Sequence, residues 1–150
     1  MNGNIVILGI LIRLKGIWIK MIKQRFMLDS NIVIDTLNHK LDLLAFLDNY
    51  PDCEVYINLI VKIEVLAKTN MSENEEFEVR AFLNLFKWFE IDRNTSEIAI
   101  QIRRTRELRL PDALIAASSI SLNATVLSND PHLRDYKRSD YKSMPCLLSA

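Results

Sequence analysis

An α/β fold is predicted by the sequence, with a central parallel sheet of about five strands flanked by helices on both faces. Short apolar segments alternate along the chain with longer segments whose apolar residues recur at helical spacing. This alternation requires crossover connections between parallel strands, which place helices against the sheet. Only three Gly and four Pro occur in 150 residues, which argues against a turn-rich all-β protein. A content of 49% hydrophobic and 25% charged residues is typical of one globular domain with a sizeable core.

Two strands are predicted in the first half of the chain, each followed by helices. The apolar run Phe26, Met27 and Leu28 is expected to form a buried strand that ends at Asp29. The second strand is β-branched and aromatic and is predicted over residues 54–60. Helices with apolar residues at helical spacing are predicted within 31–38, 41–49, 61–70 and 72–86. Ser72, followed by Glu75, forms a capping-box pattern at the start of the last of these helices.

The second half continues the alternation with three further strand candidates and two helices. The strand candidates are short apolar segments, and they lie within 87–92, 124–130 and 144–148. A helix with a polar start is predicted over 94–108. The next helix is predicted to begin near Pro111, because proline is well tolerated in the first turn of a helix.

Residues 1–20 are interpreted as an N-terminal extension outside the fold, which then covers residues 21–150. The extension contains three basic residues and no acid. Its uncharged run, residues 5–12, is far shorter than the roughly 20 apolar residues that span a bilayer, and no signal-peptide pattern is present. No stable membrane span is therefore expected. An upstream leader is the favoured interpretation, with a membrane-surface segment as the alternative.

Charge and cysteine content limit the class of protein. The whole chain has 19 basic and 19 acidic residues, so residues 21–150 carry a net charge of −3 without the three basic residues of the extension. A generally basic surface is therefore absent, and contacts with RNA or DNA would depend on local basic patches or bound metal. Cys53 and Cys146 are too few for a disulfide framework or a zinc cluster, and we interpret them as reduced thiols of a cytoplasmic protein.

Four acidic residues are expected at one edge of the sheet, where ligands bind in open α/β folds. Asp29 and Asp130 follow strands, Glu64 lies in the helix after the second strand, and Asp112 lies behind Pro111. For each aspartate the alternative is a capping or turn residue. Glu64 is flanked by apolar residues, and a glutamate in such a segment rarely points into a core without a partner.

A cluster of four carboxylates predicts a divalent metal ion. The carboxylates repel one another, which raises the pKa values of some of them and favours binding of a cation. Without dedicated His or Cys ligands, these hard oxygen donors favour Mg²⁺ or Mn²⁺ over Zn²⁺. Such an ion lowers the pKa of an attacking water and neutralises charge on a phosphate, so phosphodiester hydrolysis is the expected reaction class.

Four stretches of the chain resemble the PIN-domain signature, in particular that of VapC-type toxin ribonucleases: FMLDSNIVID, VKIEVL, RLPDALIAASSI and TVLSND. The resemblance implies a three-layer PIN-like fold and a Mg²⁺- or Mn²⁺-dependent endoribonuclease. It also implies a homodimer and an antitoxin partner whose tail occupies the active-site groove.

The resemblance also assigns roles to individual residues. Asp29 and Asp112 would ligate the metal directly, and Glu64 and Asp130 would bind through water or a second ion and orient the nucleophile. Two polar residues, Asn31 and Ser128, match the supporting positions of the family. The sequence departs from the family pattern at Val61, where Ser or Thr is common, and at His132, where a second acid often follows the last aspartate.

A group of arginines before Asp112 is the predicted RNA-binding patch, with tRNA among the expected substrates. Its members are Arg103, Arg104, Arg106 and Arg109. The alternative is a solvated helix face, which is the usual role of such a run. His132 and His39 are predicted to be surface residues, and Asp35 is either a further supporting acid or a solvated one.

Two rival functions remain open at this point. The first is a non-catalytic PIN scaffold that binds RNA or a protein, although the presence of all four acids argues against a degenerate site. The second is a general nucleotide-binding module. It is disfavoured because a phosphate-binding loop needs glycines and none occurs after Gly16.

Overall fold

Five short strands form one parallel sheet in the computed structural model, which describes residues 23–146. The strands are β1 (Arg25–Leu28), β2 (Glu54–Ile57), β3 (Lys87–Trp88), β4 (Thr125–Leu127) and β5 (Ser143–Met144). Their order across the sheet is β3-β2-β1-β4-β5, and every neighbouring pair is parallel. The predicted α/β fold with a parallel sheet of about five strands is confirmed.

Seven helices flank the sheet in the described part of the chain. They are α1 (Ser30–Leu37), α2 (Leu43–Leu47), α3 (Leu59–Leu66), α4 (Glu73–Leu83), α5 (Arg93–Thr105), α6 (Leu110–Leu122) and α7 (Pro131–Asp135). Helix α6 packs against β1 and β4 and along α5, while α1 packs against α3. The residues that α6 buries are mostly small, which lets its backbone approach the sheet closely. No helix among residues 23–146 is long and apolar enough to span a bilayer.

The second strand is shorter than predicted, because the chain turns into α3 directly after Ile57. Asn58 is fully buried and caps this helix, and its Oδ1 accepts hydrogen bonds from the backbone N–H groups of Ile60 and Val61 at 3.0 and 3.2 Å. Its Nδ2 donates to Ser118 Oγ at 2.9 Å. The prediction that residues 58–60 continue the strand was therefore wrong, and Asn58 begins the helix as its N-cap.

Other predicted boundaries differ by a few residues. Helix α4 ends at Leu83 rather than near Phe86, and the short helix α7 was not predicted. The last strand is Ser143–Met144, so the strand predicted over 144–148 was wrong at residues 145–146, and its residues 147–148 lie outside the described residues. The predicted extension, residues 1–20, also lies outside them.

The position of β1 at the centre of the sheet creates a crevice. The chain adds β2 and β3 on one side of β1 and later adds β4 and β5 on the other side. Strand order therefore reverses next to β1, and ligands in such sheets bind beyond the carboxyl ends of the strands at this switch point. Leu28 pairs with Leu127 in the register of β1 and β4, so Asp29 and Ser128 follow at the same edge.

Candidate active site

Asp29 is a buried carboxylate at the end of β1. Only 4% of the residue is exposed. It occupies the N-cap position of α1, and its backbone carbonyl accepts from Ile32 N at 3.1 Å, but its side chain makes no capping hydrogen bond. Instead, Asp29 Oδ2 accepts a hydrogen bond from Ser128 Oγ at 2.7 Å. The alternative of a capping residue therefore does not describe the side chain of Asp29.

The pKa of Asp29 is raised from 3.8 to about 6. Burial is the largest cause, because a low-dielectric environment disfavours the charged carboxylate. The hydrogen bond from Ser128 lowers the pKa, and the negative charges of Asp112, Asp130 and Glu64 raise it further. The three other predicted site acids thus lie close enough to act on the same carboxyl group.

Ser128 joins the ends of the two central strands. It is fully buried, and besides donating to Asp29 its Oγ accepts a hydrogen bond from the backbone N–H of Asp130 at 3.0 Å. Asp130 is partly buried and caps α7, since its Oδ1 accepts from the backbone N–H of His132 at 2.7 Å. Asp130 is therefore a capping residue, the alternative interpretation of its sequence position, and it also acts on Asp29 through its charge.

Asp112 lies in the first turn of α6 and is half-buried. Its pKa is raised by burial first and then by the negative charges of Asp130 and Glu64, while the positive charges of His132 and Arg109 oppose the increase. A carboxylate in a first helical turn is ordinarily stabilised in its charged form. The raised pKa of Asp112 therefore reflects burial and crowding of negative charge rather than its position on the helix.

Glu64 reaches the cluster from an exposed face of α3, and it does not point into the core. Its carboxylate accepts a hydrogen bond from the hydroxyl of Ser30, a buried residue that sequence reasoning did not place in the site. The only sequence signal for Ser30 was its position next to Asp29. Asn31, which was predicted to support the site, is exposed on α1. The contact to the cluster from the start of α1 is therefore made by Ser30.

The acids of the cluster would give a metal ion few direct protein ligands. Within residues 23–146, no group of three or more His, Cys, Asp or Glu side chains is arranged to hold a metal together. Mg²⁺ keeps several waters and commonly uses only one or two protein carboxylates, so a looser cluster is compatible with it. Burial first, and then the negative charges of neighbouring acids, raise the pKa values of Asp29 and Asp112, and a bound divalent cation would oppose both effects.

An arginine-lined cavity of about 270 Å³ adjoins the acids. Asp112 and Asp130 line it together with Arg103, Arg106, Glu107, Leu108, Arg109 and His132. Three of the four predicted RNA-binding arginines are thus brought next to the carboxylates.

Three further candidates are Arg104, His132 and Asp35, and the structure gives each of them different surroundings. Arg104 faces a different cavity, beside Ile100 and Leu110. His132 is exposed, as predicted, but its Nδ1 also lies 3.0 Å from Asp130 Oδ1. Asp35 is half-buried on α1 and is not among the charges that raise the pKa of Asp29.

The PIN-domain family profile matches residues 26–139 of the chain. Several solved structures share the fold. VapBC2 from Rickettsia felis, bound to a DNA fragment from its promoter, aligns with a TM-score of 0.71 and 20% identity over 81% of this chain and 98% of that chain. A toxin–antitoxin complex from Klebsiella pneumoniae aligns with a TM-score of 0.65 and 23% identity over 77% and 98%. DNA-bound VapBC from Salmonella typhimurium aligns with a TM-score of 0.66 and 22% identity over 81% and 98%. No curated protein matches the sequence.

Proposed function

This chain belongs to the PIN-domain family, and we propose that it is a metal-dependent endoribonuclease, the toxin component of a toxin–antitoxin pair. One observation carries the proposal. Asp29 is buried at the switch point of the sheet, hydrogen-bonded to Ser128, and surrounded by the charges of three further acids. A protein gains no stability from burying a carboxylate among like charges, so a role in binding a cation explains the arrangement.

The four carboxylates are proposed to have different roles in the site. Asp29 and Asp112 have raised pKa values and are proposed to hold Mg²⁺ or Mn²⁺. Glu64 and Asp130 are proposed to hold water near the ion and to orient the nucleophile. Ser128 fixes the Asp29 carboxylate, and Ser30 fixes that of Glu64. When bound, the ion would lower the pKa of a water and neutralise charge on the scissile phosphate.

The arginine-lined cavity supports RNA as the substrate. Arg103, Arg106 and Arg109 line it beside two of the acids. Guanidinium groups bind phosphate oxygens through paired hydrogen bonds, so the strand would lie across the cavity with one phosphate at the acids. Because the net charge of residues 21–150 is −3, binding would rest on this local patch. Structured RNA, including tRNA, is the proposed substrate class.

The proposed partners are an antitoxin and a second copy of this chain. The structural relatives from Rickettsia felis and Salmonella typhimurium are complexes of the VapBC type, which supports an antitoxin partner. A cytoplasmic location belongs to the same proposal, since RNA substrates and a co-expressed antitoxin are found there.

Cleavage of end-labelled total tRNA and structured RNA by the full chain tests the nuclease. The reaction is run with Mg²⁺, with Mn²⁺ and with excess chelator. Asp29→Asn should lower the rate by more than about 100-fold, since outer-shell partners of metal sites alone are worth 10- to 100-fold. Asp52→Asn is the matched control, because Asp52 is an exposed aspartate in a turn away from the site.

The outcomes of this experiment distinguish a nuclease from a non-catalytic scaffold. Cleavage that needs metal and is abolished in Asp29→Asn but kept in Asp52→Asn would support the nuclease. No cleavage by folded protein under any condition, together with retained RNA binding, would instead favour the non-catalytic PIN scaffold.

A further inference from the structure

A second cavity, of about 220 Å³, opens at the edge of the sheet formed by β3. Its apolar floor and its polar or aromatic rim come from β2, β3, α3, α4 and the turn after α4. The floor is formed by Ile57, Leu83 and Phe86, and the rim by Lys62, Arg80 and Trp88. None of these residues is assigned to the carboxylate site, so the cavity needs its own explanation.

Trp88 presents an indole ring at this cavity. The residue is 45% exposed, although a large aromatic side chain is ordinarily more buried. Lys62 Nζ lies 5.7 Å from the ring centroid, within the range of a cation–π interaction, and Trp88 Nε1 donates to Glu90 at 2.8 Å. These two contacts hold the ring in place while part of its surface stays open to solvent.

The ionisable side chains that line the cavity, Lys62 and Arg80, are both cations. Arg80 contacts Glu76 Oε1 through Nε and Nη2, at 2.8 and 2.7 Å. A guanidinium group has five N–H donors, so Arg80 retains donors for a further anion. In a domain of net negative charge, two cations beside an exposed indole complement a ligand with phosphate groups and aromatic bases.

The cavity lies at the same edge of the sheet as the carboxylates, where the carboxyl ends of the strands meet. Trp88 ends β3, and Asp29 follows β1, which lies two strands away in a parallel sheet. At about 4.8 Å per strand, the two strand ends are separated by roughly 10 Å. Lys62 and Glu64 belong to the same helix, α3. An RNA chain bound at the carboxylates can therefore continue towards Trp88.

We propose that this cavity is a subsite for single-stranded RNA, where one base stacks on Trp88 and a neighbouring phosphate binds Lys62 and Arg80. The inference rests on the proposed function, because it assigns the subsite to the substrate of the carboxylate site. It adds that the substrate has an unpaired nucleotide beyond the cleaved bond, since a base in a duplex cannot stack on a protein ring.

Binding of a single-stranded oligouridylate of about ten nucleotides tests the subsite, a length within the span of known single-strand sites. The full chain is titrated in excess chelator, and affinity is measured by anisotropy of the labelled RNA. Trp88→Ala should weaken binding by about 5- to 150-fold, the range for removal of one stacked base. Trp88→Phe should recover part of that affinity, because it keeps an aromatic face. Phe77→Ala is the matched control, since Phe77 is 72% exposed outside the cavity and should not affect binding.

The phosphate contact has a separate readout. The double variant Lys62→Ala with Arg80→Ala should reduce the slope of log affinity against log salt by about 0.7 for each phosphate that is no longer neutralised. Trp88→Ala should leave that slope unchanged. Lys40→Ala, which removes an exposed cation elsewhere, should leave both affinity and slope unchanged.

Direct stacking is tested by fluorescence. The chain has two tryptophans, so Trp18→Phe leaves Trp88 as the only tryptophan, whose emission is recorded with excitation at a wavelength that tyrosine does not absorb. Oligouridylate should quench this emission, whereas inorganic polyphosphate, which has no bases, should not.

Failure of this inference and failure of the proposed function are distinguishable. Unchanged RNA affinity in Trp88→Ala, with cleavage intact, would overturn the subsite alone and favour a protein-binding surface at this edge. Equal quenching by polyphosphate would overturn the stacking. Trp88-dependent binding without any metal-dependent cleavage would support the subsite while overturning the nuclease.

Discussion

At the scale of the residue, the buried Asp29 couples stability to pH. Its pKa is about 6 in the folded protein and 3.8 ordinarily, with burial as the main cause. Between about pH 4 and 6 the folded state therefore holds a proton that the unfolded chain has released, so the free energy of unfolding of the metal-free protein falls as pH rises. Above about pH 6 this fall is complete. In the Asp29→Asn variant no carboxyl titrates at this position, so the decrease in the free energy of unfolding should be smaller by up to about 3 kcal/mol.

Urea denaturation in chelator at pH 4 and pH 7 measures this prediction. Asp52→Asn serves as the exposed control and should keep the pH dependence of the unmodified protein. The prediction fails if Asp29→Asn loses as much stability between the two pH values as the unmodified protein does.

The position of the three aspartates at the edge of the sheet was easier to predict from sequence than the direction of the Glu64 side chain. Asp29, Asp112 and Asp130 follow strands or begin helices, so their edge position follows from the order of elements. Helix α3 is apolar on several sides, and Ile63 is 53% exposed, so the apolar pattern gave no reliable direction for Glu64. The contact from Ser30 depends on how α1 packs against α3, which no local pattern encodes.

At the scale of the element, the cap of α3 contributes both to stability and to the site. Asn58→Ala removes an acceptor from two backbone N–H groups and a partner from Ser118, and Asn58 itself is fully buried. We expect the free energy of unfolding to fall by about 2 kcal/mol in urea denaturation, together with slower RNA cleavage, because α3 carries Glu64.

The matched control for this prediction is Ser72→Ala. Ser72 caps α4 through one exposed hydrogen bond from Glu75 N, at 3.2 Å. It should lower the free energy of unfolding by about 1 kcal/mol or less and leave cleavage unchanged. Equal reductions of stability and activity in both variants would contradict the special role of Asn58.

Arg106, at the end of α5, is predicted to lower the stability of the fold and to contribute to RNA binding. Arg106 has a left-handed backbone, with φ 61°, which favours glycine, and it lies in the arginine-lined cavity. Arg106→Gly should raise the free energy of unfolding by about 0.5–1 kcal/mol. It should also weaken RNA binding and reduce its salt slope by about 0.7 if Arg106 neutralises one phosphate.

Arg104 provides the control for Arg106, since it is helical and faces the other cavity. Arg104→Gly should lower the free energy of unfolding by about 1 kcal/mol, because glycine is unfavourable in a helix. Arg104→Ala should leave the salt slope unchanged. The same slope in Arg106→Gly and the unmodified protein would remove Arg106 from the RNA path.

Long, strongly patterned elements were predictable, and short ones were not. Helices α5 and α6 have clear starting signals, in a polar first turn and in Pro111, and they were found. The end of β2 was missed because apolar residues continue through Leu59 and Ile60, although Asn58 is itself a favoured N-cap residue. Helix α7 has five residues, too few for a periodic pattern to appear.

At the scale of the whole molecule, an apolar surface on α5 and α6 favours the proposed homodimer. Ile100 is 44% and Leu110 58% exposed, and both line a shallow cavity of about 410 Å³. Light scattering should show a dimer, and Ile100→Glu should convert it to a monomer, because an unpaired charge is costly in an apolar interface. Leu44→Glu is the control, since Leu44 is 71% exposed on α2. A monomeric unmodified protein would contradict the prediction.

The architecture as a whole followed from alternation of strands and helices, whereas the order of strands in the sheet did not. Placing β1 between β2 and β4 requires pairing of segments far apart in sequence, which local patterns do not specify. Net charge was also a poor guide to local charge, because a domain of −3 still places Lys62 and Arg80 together at the second cavity and three arginines beside Asp112.

The hydrogen bond from Ser128 to Asp29 joins residues 99 positions apart. During synthesis, a nascent chain presents Asp29 long before the ribosome has made β4, and until then that carboxylate lacks the hydrogen bond from Ser128. Parallel pairing over such separations is slow to form, because loop closure precedes any stabilising contact. Products of translation that end before β4 therefore lack Ser128 and Asp130, and with them part of the acidic cluster on which the proposed function rests.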